Sequence, residues 1–140
     1  MSVLRDIRAA LEAKTITASG MLPEEQRQFE DIVYVPTPGK PFVRSSFMPS
    51  SGRPFSLTGG TKTHMGLFEL AAIFPTAQGI DAAEVLADAM KDVFAPSTRI
   101  VAGTSDIVLI DYAERGPAMQ DGAWIAVPIT VGWRCYSTRN

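Results

Sequence analysis

Hydrophobic and polar positions alternate most regularly near the end of the chain. Ile125, Val127, Ile129, Val131, Trp133 and Cys135 fall on one side, and Trp124, Ala126, Pro128, Thr130, Gly132 and Arg134 on the other. A period of two is the signature of a strand, and the first set is a core face. The second set is too apolar for water and too mixed for a second core, the composition of a face that meets another subunit. Pro128 has no N–H to give a ladder, so the strand is predicted at or near a sheet edge, or bulged.

Elsewhere the period changes. Val3, Leu4, Ile7, Ala10 and Leu11 recur at helical spacing behind Ser2, an N-cap type, which predicts a first helix ending near Lys14. Phe29 to Val35 and Phe42 to Met48 read as strands separated by Pro36, Pro38, Gly39 and Pro41. Met65 to Phe74 is apolar on both sides except at Glu69 and is predicted to be central. Asp81 and Glu84 form a capping box, with Ile80 placed to staple onto Val85, so a second helix is predicted from Asp81. Its expected apolar stripe is Ala82, Val85, Leu86, Ala89, Met90, Val93 and Phe94, with Asp81, Glu84, Asp88 and Asp92 opposite. Arg99 to Ala102 and Asp106 to Tyr112 add strands, and a loop from Ala113 to Gly122 turns the chain into the last one.

Two helices cannot cover both faces of five or six strands. The expected architecture is α+β: a mixed, mostly antiparallel sheet with two helices packed on one face, in a single domain over residues 1–140. The uncovered sheet face is an association signal.

Composition changes this picture in one respect, the distribution of charge. The net charge is −2, yet no acidic residue lies between Asp31 and Glu69, where Lys40, Arg44, Arg53 and Lys62 do; from Asp81 to Asp121 eight acids face three bases. Opposite ends of this kind suit head-to-tail contacts between identical subunits, or are ordinary solvated surface. The lone Cys135 excludes an intrachain disulfide and reads as a small buried hydrophobe. The first residues lack the apolar run of a signal peptide, no stretch has transmembrane length, and synthesis in the cytoplasm is expected.

Candidate chemistry is sparse. His64 is the only imidazole, with no second His, Cys or clustered carboxylate as metal partner, and a surface or interface histidine is the expectation over a base. Gly59, Gly60, Thr61, Lys62 and Thr63 fail as a phosphate loop because Thr61 separates glycine from lysine and strand residues follow. Gly103, Thr104, Ser105, Asp106 and Ile107 lack the second glycine of a nucleophile elbow. No enzyme activity, cofactor or metal is expected. A small nucleic-acid-binding module, drawing on the basic stretch with Phe42, Phe47 and Phe55, stays as an alternative against the acidic whole.

Three passages, Pro41 to Pro49, Gly66 to Pro75 and Gly122 to Arg134, in this order and with the Asp81 helix between the last two, resemble the tail terminator proteins of long-tailed bacteriophages, the minor tail protein U-like group. The resemblance implies a non-enzymatic virion protein that forms a six-membered ring at the head-proximal end of the tail. Such a ring caps the tail tube, stops its polymerisation and offers a head-joining surface to a connector protein. A head-completion or neck protein is the alternative within the same virion. On this basis Arg53, Thr58, Gly59, Gly60, Lys62 and His64 are expected in a tube-contacting loop between Pro49 and Thr63. Arg44, Trp124, Pro128, Thr130 and Arg134 are expected at the subunit interface. Glu84, Asp88 and Asp92 either line a channel through which DNA passes without sticking or form a plain solvent-facing helix surface.

Overall fold

The computed structural model describes residues 3–18, 27–28, 41–50, 53–54 and 62–138. The elements follow as α1 (Val3–Ala18), β1 (Arg27–Gln28), β2 (Phe42–Pro49), β3 (Arg53–Pro54), β4 (Lys62–Pro75), α2 (Ile80–Val93), β5 (Arg99–Ala102), β6 (Asp106–Arg115), β7 (Met119–Asp121) and β8 (Trp124–Ser137). One sheet runs in the order β1-β2-β4-β8-β6-β5, with β3 added to β4 and β7 to β8. The β1 to β2 pairing is parallel and the other pairings are antiparallel. Both helices lie on one face, giving the α+β fold expected.

The core lies between the helices and the sheet. Ile125, Val127, Ile129, Val131, Trp133 and Cys135 are all buried, as their alternation requires. Across the β4 ladder Phe74, Ala72, Leu70 and Phe68 oppose the first four of them. Phe47 of β2 stacks on Trp133 at 5.3 Å between ring centroids. Burial of this many branched and aromatic side chains is the main stabilising term of the fold.

Five expectations are corrected. The long strand β8 is central, paired with β4 along its whole length and with β6 and β7 on its other side. Pro128 survives there because Gly116 N–H donates to its carbonyl at 2.9 Å. The amide and carbonyl of one strand residue point the same way, so the missing donor faces the break between the end of β6 at Arg115 and the start of β7 at Met119. The one return bond that proline cannot make is to Gly116, just beyond the end of β6.

The first helix runs past Lys14 to Ala18, and within it the buried Thr15 hydroxyl is satisfied by donating back to the Leu11 carbonyl at 2.9 Å. The second helix starts at Ile80 with Gly79 as N-cap and no side-chain cap bond, so the capping box does not form. Its buried stripe is Ala83, Leu86, Ala87 and Met90, followed by Phe94, while Val85 is 55% exposed. The small Ala83 and Ala87 let the helix backbone approach the sheet; a stripe centred on Val85 does not. Finally, the loop expected over Ala113 to Gly122 is mostly strand, closed by a tight turn at Gly122–Ala123 with Gly122 at φ 60°. Ser2 and the expected strand Phe29 to Val35 lie outside the described residues.

Candidate functional site: the outer sheet face

Pairing registers place Arg44, Ser46 and Met48 of β2, Met65, Leu67, Glu69, Ala71 and Ile73 of β4, and Trp124 to Tyr136 at alternate positions of β8 on the face away from the helices. The five residues expected at a subunit interface, Arg44, Trp124, Pro128, Thr130 and Arg134, therefore share one surface. Among the described residues eight large apolar side chains are exposed. Six of them, Met48, Met65, Val101, Tyr112, Met119 and Tyr136, lie on this face.

One end of the face is closed by the subunit itself. Phe42 meets Trp124 edge-on at 5.6 Å. Their strands flank Ile73, which is only 4% exposed. Trp124 is thus half-buried, partly covered within its own chain. The middle of the face is open. There Ala71, Ala126 and Pro128, with Arg44, Ser46, Glu69 and Met119, line a shallow groove of about 380 Å³.

A bulge shapes the other end. Ile110 opposes Trp133 and Tyr112 opposes Gly132, leaving Asp111 as the extra residue. Asp111 turns outward, and its two carboxylate oxygens share the single Nε–H of Arg134, at 2.9 and 3.0 Å. Arg134 Nη1 donates to the Tyr136 hydroxyl at 3.3 Å. The Tyr136 hydrogen bond, and then Asp111, raise the Arg134 pKa above its ordinary value. Tyr112 also lies on the outer side, its ring over Gly132, where a Cβ would collide with it.

Beyond the bulge the parity of β6 is reversed, so Arg115 instead of Glu114 faces the helix layer. Arg115 donates to Glu84 at 2.6 Å and lies 3.5 Å from Asp88. The hydrogen bond to Glu84, followed by the charge of Asp88, raises the Arg115 pKa. Two of the three acids expected along a channel are thus already paired within the subunit, and Asp92 remains exposed further along α2. Nothing in the sequence marks this bulge, so the Arg115 bridge was not anticipated.

The expected tube-contacting residues separate. Lys62 and His64 belong to β4, and the backbone of Arg53–Pro54 pairs with Thr63 and Lys62. Thr58, Gly59 and Gly60 lie outside the described residues. His64, expected at the surface or an interface, is 6% exposed on the core side, opposite Cys135, with Nε2 buried and unpaired. It is a strand residue because β4 begins three residues before the predicted start. Among the described residues no group of three or more His, Cys, Asp and Glu could hold a metal ion.

The fold recurs in solved proteins. A structure known only by a sequence designation aligns with a TM-score of 0.76 at 21% identity, over 94% of each chain. A chain from the virion of a native gene transfer agent particle aligns at 0.63 and 12% identity, over 93% of this chain and 94% of that one. At these identities the likeness shows the fold alone. No curated protein matches the sequence. A model of the phage tail terminator protein family matches residues 6–133. The match spans nearly the whole chain, and the protein accordingly belongs to the phage tail terminator family, as a virion structural component.

Proposed function

We propose that this single-domain subunit closes into a ring, six-membered by the family resemblance, that caps the head-proximal end of a tail tube. The ring stops tube polymerisation and presents a surface to a head-completion protein. The observation that carries the reading is the outer sheet face, where six large apolar side chains stay in contact with water in the isolated chain. A soluble subunit with that surface gains most by sharing it with neighbours. The basic segment with Arg53, Thr58, Gly59, Gly60 and Lys62 contacts the tube end; His64, being buried, is not part of that contact.

The test is to add the purified protein to tail tube subunits that are polymerising. Ring-shaped particles by negative stain, and tubes that stop lengthening with one ring at an end, support the reading. Rings that leave tube growth running assign the protein to the neck instead, and a protein that stays monomeric with and without tubes removes the ring altogether.

A further inference from the structure

The two remaining exposed apolar residues are on α2, on the other side of the molecule: Ile80 at 46% and Val85 at 55%. One exposed valine is ordinary on a protein surface. This one is surrounded at i−4, i+3 and i+7 by Asp81, Asp88 and Asp92, and the opposite face of the same molecule offers a matching seat. The groove there has a floor of Ala71, Ala126 and Pro128, small enough to admit a branched side chain, and it is bordered by Arg44. Arg44 is exposed and makes no ion pair with any described residue, and the same holds for Asp81 and Asp92.

We infer that α2 of one subunit docks on the outer sheet face of the next copy, with Val85 in the groove and Arg44 against the carboxylate of Asp81, one turn from Val85. The contact joins two different surfaces of the same chain, so it is heterologous and propagates around a ring until the rotation closes. Glu69 borders the groove as well and sets the direction, because the acidic helix lies with its carboxylates toward Arg44 and away from Glu69. A wall past which DNA slides has no use for a valine amid its acids, whereas an interface does. The inference rests on the ring reading above and assigns the two halves of its contact.

The test compares Val85→Arg, Arg44→Glu, Asp81→Arg and the combined Arg44→Glu/Asp81→Arg by native mass spectrometry and light scattering, alone and with added tail tubes. Val85 and Arg44 are exposed, so circular dichroism and melting of their variants should match the parent, while Asp81→Arg, in the first turn of α2, should keep the spectrum and melt slightly lower. Val85→Arg and Arg44→Glu should each weaken assembly by about 30-fold or more, as expected for a central interface position. The combined variant should recover rings that Arg44→Glu lacks. Rings in the parent that persist unchanged in both Val85→Arg and Arg44→Glu overturn this contact and leave the ring reading standing. Normal rings that no longer cap tubes reassign the face to the tube protein, and a parent that never forms rings overturns both.

Discussion

Replacing Gly66 by alanine tests how closely β2 and β4 approach. Gly66 opposes Pro49 on one side and Trp133 on the other. A Cβ at this position would collide with the Met48 carbonyl oxygen and lie 2.7 Å from Pro49 Cα and 3.1 Å from Trp133 Cζ2. The first two obstacles are backbone of a paired strand and cannot swing aside as a side chain does. Overpacking of this kind costs roughly 1–3 kcal/mol, toward the upper end where backbone must move. Alanine returns about 0.4–1 kcal/mol by restricting the unfolded chain. The net loss is therefore about 1–2 kcal/mol, or a melting temperature lower by roughly 3–8 °C for a domain of this size. Thermal unfolding followed by circular dichroism measures it. Gly132→Ala serves as comparison, since its obstacle is the Tyr112 ring, an exposed side chain able to move, and it should lose less. A Gly66→Ala protein that melts at or above the parental temperature refutes the close approach of the two strands.

Trp133 is fully buried and stacked on Phe47, while its Nε1 has no hydrogen-bond partner. Trp133→Ala should lose about 3–5 kcal/mol in urea unfolding. Trp133→Phe keeps a stacked ring and removes a buried unpaired N–H, itself a penalty of about 1–3 kcal/mol, so it should lose less than half as much. Deleting Asp111 removes the bulge and reverses the parity of the rest of β6, which turns Glu114 toward Glu84 and Asp88 in place of Arg115. The deletion should yield insoluble or markedly less stable protein, whereas Asp111→Asn, which keeps the residue count, should fold; equal stability of the two would refute the parity argument.

What was legible in the sequence depended on how far each signal reaches along the chain. The inward face of β8 is a local pattern of period two, and all six of its residues are buried. The existence of α2 is equally local, but which side it buries is not. Apolar residues occur around most of its circumference, and the choice of Ala83 and Ala87 over Val85 is made by contact with strands distant in sequence. The rule that keeps proline to sheet edges judged Pro128 by its own strand. Its tolerance comes from the neighbour, where β6 stops and Gly116 supplies a donor before β7 begins. Which residues share the outer face of β8 was readable because it needed only alternation, whereas the Asp111 bulge and the burial of His64 needed the register of two strands.

The charges on the outer face divide into two kinds, and the division bears on how an interface could be both stable and selective. Arg134 arrives already bonded to Asp111 and Tyr136, so covering it with a neighbour removes water from a pair that keeps its partners. Arg44 has no such arrangement. Burying it alone leaves an uncompensated charge, which is strongly unfavourable unless the incoming surface brings a carboxylate. The exposed Met and Tyr side chains make association favourable with any apolar surface, while Arg44 penalises every surface that lacks an acid in the right place. In the proposed contact selectivity resides in Arg44, with Glu69 fixing the direction, and assembly of the Arg44→Met variant should become less discriminating, with irregular aggregates beside rings, instead of merely weaker.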